Sequence, residues 1–259
     1  VRMRDHAIEV RLCAEDARQG FLPQSGRLSR WRPSAELRVE HALGDESEIA
    51  PHYDSMIAKF VAHGASRDEA RRQLRRGLAA SVVFGVVTNR DFLLRCLDHD
   101  DFARGVATTA FVGRHLAAPA GSGEALRTRL LALAALLLTA GGAAGPAPAA
   151  ALQPRFEMPM LLRVDDADIA VAVSARGPGS CTARVGATAH EMRLLEVGPM
   201  RVRFECDGVA ESAAWHRDGA DLWLDLAGTT LRIEDRSRVA ALRAAVGGRS
   251  DGRVRAGTG

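Results

Sequence analysis

The chain has 259 residues, 47% of them hydrophobic, which suits a soluble globular protein of two domains or one large one and excludes wholesale disorder and a fibrous repeat. Its 35 basic and 32 acidic residues leave a net charge of +3, too small and dispersed for a nucleic-acid signature. The longest apolar-looking run, Leu130 to Ala140, falls well short of the roughly 20 residues that span a bilayer, so neither a nucleic acid nor a membrane is an expected partner.

Residues 1–117 alternate strand-like stretches with two helices, an α+β pattern. Strand periodicity appears at Ala7–Leu12, Leu37–Glu40, Met56–Ala62 and Val82–Val87. Ser66-Arg-Asp-Glu69 has the spacing of a capping box. Behind it Ala70, Leu74 and Leu78 recur on one helical face, while Arg71, Arg72, Arg75 and Arg76 form a basic face that is either a solvated surface or an anion site. A second helix is expected after Asn89 as N-cap, burying Phe92, Leu93, Cys96 and Leu97. Pro119 to Gly123 is breaker-rich and marks a boundary.

Glu124 to Ala140 predicts a helix whose second half, Leu130 to Leu138, has no polar face and must be surrounded on all sides. Gly141 to Pro154, rich in Gly, Ala and Pro, is a linker or ordered loop. Eight strand-like stretches follow, near Phe156–Val164, Ile169–Ser174, Cys181–Val185, Glu191–Val197, Arg201–Cys206, Ala210–His216, Leu222–Leu226 and Leu231–Glu234. In Met200–Cys206 strict alternation puts Met200, Val202, Phe204 and Cys206 inward and Arg201, Arg203 and Glu205 outward. Asp207-Gly208, Asp218-Gly219 and Ala227-Gly228 suit tight hairpins. An all-apolar helix beside eight antiparallel strands predicts a β-barrel wrapped around that helix, over residues 118–239. Residues 240–259 read as a solvated linker.

Catalytic signatures are sparse: the chain contains no Walker loop, GxGxxG, HExxH or GxSxG. Cys13, Cys96, Cys181 and Cys206 form no CxxC pair and read as buried free thiols of a cytoplasmic protein; His6, His52 and His190 read as surface or satisfied core imidazoles, and no metal site is expected.

One set of ordered motifs is far more specific. His6-Ala-Ile-Glu-Val-Arg-Leu-Cys-Ala-Glu-Asp16, Gly20-Phe-Leu-Pro-Gln-Ser-Gly26, Pro51-His-Tyr-Asp-Ser-Met-Ile-Ala-Lys59 and Gly85-Val-Val-Thr-Asn-Arg90, extending through Thr108-Thr-Ala-Phe111, resemble the C-terminal domain of biotin carboxylases. The Phe-Leu-Pro-Gln-Ser-Gly wording and Trp31 look most like the α subunits of 3-methylcrotonyl-CoA carboxylase, with propionyl-CoA and geranyl-CoA carboxylases close behind. Family members usually carry Gly where Asp5 stands and Tyr where His52 stands.

The resemblance implies a ligase in which ATP, bicarbonate and Mg or Mn yield carboxyphosphate, whose CO₂ is captured by N1 of biotin held as an enolate. Arg11 matches the arginine that stabilises that enolate oxygen, a role suited to a permanently charged planar donor. Thr108 and Thr109 fall in the segment that approaches the adenine in the family, with core packing or helix capping as the alternative. The ATP-grasp parts lie upstream of the matching motifs. The chain therefore reads as a fragment, inactive alone and with no cofactor bound.

In such α subunits a helix-in-barrel (BT) domain docks the carboxyltransferase β subunit, and the predicted barrel resembles it in order and size. Gly141–Pro154 then corresponds in position to the family's docking hook. Lys59, the one lysine, lies inside a carboxylase motif rather than the Ala/Val-Met-Lys-Met of a biotin carrier domain, which is expected beyond residue 259. The acyl-CoA itself is chosen by the β subunit. The rival reading is a standalone, non-enzymatic binding or scaffold module, disfavoured if the helix fills the barrel.

Overall fold

The computed structural model describes residues 5–116, 123–140 and 157–237. The N-terminal half is built on a three-stranded sheet of order β1-β8-β6, with β1 His6–Cys13 antiparallel to β8 Met56–Gly64 and β6 Arg38–Glu40 on its other side. Three short pairs decorate it: β2 Glu15–Asp16 with β3 Leu22–Pro23, β4 Gly26–Arg27 with β7 Glu48–Ile49, and β5 Arg30–Arg32 with β9 Val82–Phe84. Strand alternation sends Ile8 and Leu12 of β1 and Ala58, Phe60 and Ala62 of β8 to one face. There they meet Ala70, Leu74 and Leu78 of α1 Arg67–Ala80 in one core.

The capping box forms as expected. Ser66 Oγ accepts from the Glu69 N–H at 3.2 Å, while the Glu69 carboxylate accepts from the Ala65 N–H at 3.0 Å. The basic face of α1 proves to be an ion-paired surface. Arg71 and Arg72 pair with Asp68, Arg75 Nε with Asp98 at 2.5 Å, and Arg76 Nε with Glu36 at 2.9 Å, so it offers no vacant anion site.

Helix α2 Arg90–Asp98 departs from expectation twice, before the short helices α3 Asp100–Ala103 and α4 Phe111–His115. Its buried residues are Arg90, Leu94 and Leu97, with Phe92, Leu93 and Cys96 only half-buried. The face is set by the barrel against which α2 lies, an element outside any local periodicity. Asn89 makes no side-chain cap; its side chain turns to β1 instead.

Helix α5 Glu124–Thr139 runs through a closed barrel of eight antiparallel strands in chain order. These are β10 Glu157–Val164, β11 Ala167–Gly177, β12 Ser180–Val185, β13 Thr188–Val197, β14 Arg201–Cys206, β15 Val209–Asp218, β16 Asp221–Leu226 and β17 Thr229–Asp235, and β17 pairs back onto β10. Every residue from Leu130 to Leu137 is buried, sharing a core with inward residues of all eight strands such as Leu162, Val173, Ala183, Met192, Phe204, Trp215, Leu224 and Ile233. A helix apolar all round is thereby covered all round, and closure leaves the sheet no edge. Val202, Phe204 and Cys206 face inward as the alternation required, whereas Met200, just before β14, is half-buried. Asp207-Gly208 and Ala227-Gly228 are hairpins with both residues at positive φ. The readings of Pro119–Gly123 as a boundary, of Gly141–Pro154 as a hook and of 240–259 as a linker fall wholly or mainly outside the described residues.

The two halves touch through a small core of Val82, Phe84, Ala214 and Trp223 and through a buried ion pair between Arg90 and Asp225. Arg90 also donates to the Ser81 carbonyl, to the Gly228 carbonyl at 3.1 Å and to Thr230 Oγ1 at 2.8 Å, while the Thr230 hydroxyl donates to Asp225 at 2.7 Å. Burial pulls the guanidinium's pKa down to about 10, so it stays charged at neutral pH. Gly228 sits at φ +91 in the hairpin pressed on α2, and a Cβ there would lie 2.3 Å from Leu94 Cδ1. Only glycine allows that approach.

Candidate functional site

The motif residues converge on the open face of the β1-β8-β6 sheet, opposite α1. Register places Arg11, Lys59 and Glu40 side by side, with Glu9, Val61 and Arg38 in the next row. Residues directly across from one another in antiparallel strands share a face, so this face is a mosaic of both charges. Arg11 leaves 68% of its side chain exposed; its ion pair, Nε to Glu9 Oε1, is a loose 3.9 Å, and Lys59 Nζ reaches the same carboxylate at 3.8 Å. A guanidinium held so loosely can present its donors to an anionic or enolate oxygen arriving on that face.

The remaining motifs hold this strand in place. Asn89, itself buried, accepts from the Cys13 N–H at 3.0 Å and donates to the Arg11 carbonyl at 3.3 Å, and its own N–H donates to the Cys13 carbonyl. These bonds span the register shift between Leu12 and Cys13, where β1 leaves β8. From the Pro51–Lys59 motif, the Ser55 carbonyl accepts from the Ala14 N–H at 2.8 Å, and the Ser55 hydroxyl donates to Glu15 at 2.5 Å. Gly85 has φ +105 and lies so close to the Arg27–Ser29 backbone that a Cβ would meet the Arg27 carbonyl at 2.2 Å. Asp5 has φ +68, a conformation that favours the Gly usual there in the resembling family. Reading Asn89 only as a helix cap missed its part in the site. The signal for it was its place inside the Gly85–Arg90 motif.

Thr108 and Thr109 are exposed, which disposes of core packing, and the Thr108 carbonyl accepts from the Phe111 N–H at the start of α4. His6 and His52 are exposed, as a surface reading requires. All four cysteines are free, but Cys13 and Cys96 are half-buried rather than buried. Burial pushes the Cys96 and Cys181 thiols up to about 11, and burial with the Glu15 charge raises Cys13 as well. None of these three is a thiolate nucleophile at neutral pH. A cleft of about 260 Å³ lies between the halves, lined by Arg18, Arg127 and Asp165 among others. Across it Arg18 and Arg127 lie 2.9 and 3.4 Å from Asp165. Among the described residues no helix is long and apolar enough to cross a membrane.

The family "Biotin carboxylase C-terminal domain" matches residues 9–114. The chain is 41% identical over 118 residues to methylcrotonoyl-CoA carboxylase subunit alpha, mitochondrial, of Arabidopsis thaliana, covering 44% of this chain and 16% of that protein. It is 37% identical over 123 residues to the biotin carboxylase of Halalkalibacterium halodurans, covering 47% of this chain and 27% of that protein. The solved biotin carboxylase subunit of pyruvate carboxylase is 34% identical over 44% of this chain and 26% of that one, with a TM-score of 0.43. The chain thus spans under a third of the length of each of these relatives. Residues 9–114, with Arg11 on their open sheet face, match the biotin carboxylase C-terminal domain, and the chain is similar to biotin carboxylases and to carboxylase α subunits.

Proposed function

We propose that this chain is part of the α subunit of a biotin-dependent acyl-CoA carboxylase, most closely of the 3-methylcrotonyl-CoA type. Residues 1–117 complete a biotin carboxylase, residues 118–239 dock the carboxyltransferase β subunit, and residues 240–259 lead toward a biotin carrier domain. The observation that carries this reading is Arg11: an accessible guanidinium on an open, charged sheet face, inside the stretch matched to the biotin carboxylase domain. In the complete subunit that face meets the ATP-grasp region, where ATP with Mg or Mn and bicarbonate supply the carboxyl group. Arg11 would hold biotin on that face through its guanidinium donors, which suit an oxygen that gains negative charge. Asn89 and Ser55 fix the strand that carries it.

The barrel weighs against the rival reading. Its interior is filled by Leu130–Leu137, leaving no room for an apolar ligand and disfavouring a standalone binding module. A cytoplasmic location fits four free thiols.

The test is the complete reading frame. Purified with its co-encoded β subunit, the full polypeptide should show bicarbonate- and biotin-dependent ATP cleavage, and Arg11→Ala should slow biotin carboxylation by roughly 10²-fold or more, the scale of losing one oxyanion donor, with ATP affinity unchanged. Unaltered turnover in Arg11→Ala, or stop codons flanking residues 1–259 with no ATP-grasp region upstream, overturns the reading.

A further inference from the structure

At the mouth of the barrel three side chains of the neighbouring strands β13 and β14 and their following turn meet. His190 of β13 and Cys206 of β14 point inward, and Asp207 begins the hairpin that follows. His190 Nδ1 lies 2.8 Å from Asp207 Oδ2 and 3.8 Å from Cys206 Sγ, and Sγ lies 3.5 Å from Asp207 Oδ2. Among the described residues this is the one cluster of His, Cys, Asp or Glu with metal-ligating geometry. Zinc bonds of about 2.0–2.3 Å to N, O and S place ligand atoms of a tetrahedral site roughly 3.3–3.6 Å apart; the two spacings to Cys206 Sγ, 3.5 and 3.8 Å, lie near that range, and the 2.8 Å between Nδ1 and Oδ2 opens by about half an ångström on binding.

The hydrogen bonds around the cluster are compatible with a cation at its centre. The Thr128 hydroxyl of α5 lies 3.0 Å from the Ala125 carbonyl and 3.0 Å from His190 Nε2, and when it donates to the carbonyl it accepts from the ring. In that arrangement Nε2 carries the hydrogen, and Nδ1 of the neutral ring is a bare lone pair. That lone pair faces a carboxylate oxygen at 2.8 Å, a repulsive contact unless a proton or a cation lies between them. Asp207 Oδ1 is already engaged by the Glu191 N–H at 2.8 Å, leaving Oδ2 as a single directed ligand. An imidazole whose far N–H is held by a neighbouring acceptor is also the arrangement that orients a metal-bound histidine.

We propose that His190 Nδ1, Cys206 Sγ and Asp207 Oδ2 form a divalent-cation site, with zinc the fitting ion. Imidazole, thiolate and carboxylate together suit zinc's borderline softness. Asp207 is exposed to solvent on its outer side, so water supplies the fourth ligand. Binding expels the Cys206 thiol proton to solvent, along with any proton bridging Nδ1 and Oδ2. Because Thr128 belongs to α5 and the three ligands to the β13–β14–β15 edge, the ion fastens the entering helix to the barrel rim. The site lies outside the residues matched to the biotin carboxylase domain and does not depend on the carboxylase reading.

The experiment titrates the untagged chain, reduced with a non-thiol reductant, with Co²⁺. Visible d–d bands of tetrahedral cobalt and a near-ultraviolet thiolate charge-transfer band should saturate at one equivalent and bleach on adding Zn²⁺. Cys206→Ser should abolish the charge-transfer band, whereas Cys13→Ser and Cys96→Ser should not. Thr128→Ala should keep the bands but weaken affinity about 10–100-fold. X-ray absorption of the zinc-loaded wild-type chain, which needs no variant to fold, should show one sulfur ligand. No tetrahedral spectrum up to millimolar cobalt, a thiolate band that survives in folded Cys206→Ser, or a zinc shell without sulfur overturns the proposal.

Discussion

The buried pair between Arg90 and Asp225 permits a sharp test of how the halves are joined. Their side chains are 3% and 6% exposed, and Arg90 satisfies four acceptors, two of them the carbonyls of Ser81 and Gly228. Asp225→Ala strands a charged guanidinium in a closed interface, and breaking such a pair costs about 3–5 kcal/mol. At about 2–4 °C per kcal/mol for a chain of this size, Tm should fall by roughly 10 °C. Arg90→Met should also destabilise, since Asp225 keeps only the Thr230 hydroxyl. The double variant Arg90→Met, Asp225→Leu replaces the ions with apolar volume against Phe84 and Trp223, and should return to within about 1–2 kcal/mol of wild type, because removing both charges removes both desolvation penalties. Urea unfolding followed by far-ultraviolet circular dichroism and tryptophan fluorescence measures all four proteins. A cost below about 1 kcal/mol for Asp225→Ala, the value of an exposed pair, or a double variant no more stable than Asp225→Ala, would refute the closed interface.

Leu133→Ala and Leu137→Ala should each cost about 2–5 kcal/mol through lost burial and a residual cavity inside the barrel, measured by thermal unfolding; a change under 1 kcal/mol would put the helix outside. Ala227 is exposed at φ 54 in a tight hairpin, so Ala227→Asn should stabilise by about 1 kcal/mol, whereas Gly228→Ala should destabilise by placing a Cβ against Leu94 at a positive φ. Hydrogen bonds from Arg32, together with the Trp31 N–H, hold the Asp45 carboxyl below its ordinary value. The stabilisation it gives is complete above pH of about 4 and is lost as pH falls through the depressed folded value. Asp45→Asn should therefore be less stable than wild type at pH 7, with the gap closing in acid.

The sequence alone determined the elements whose signal is local or repeated. Eight alternating stretches, their Gly-bearing hairpins and a helix without a polar face left closure around that helix as the arrangement that buries both. The ordered motifs located Arg11 by resemblance, and strand alternation put it on the open face.

What joins distant segments was decided by tertiary structure. β16 reads Asp-Leu-Trp-Leu-Asp-Leu, an ordinary half-wet strand, yet Trp223 and Asp225 on its outer face are buried because Phe84 and Arg90 of the first half cover them. The same contact rotated the buried face of α2 onto Arg90, Leu94 and Leu97, since an arginine is buried only where a partner waits for it. His190 looked solitary because its neighbours Cys206, Asp207 and Thr128 are 16 to 62 residues away in sequence. Only barrel closure and the threading of α5 bring them within reach. Periodicity reports which face of an element is apolar, but it carries no information about which other element arrives there.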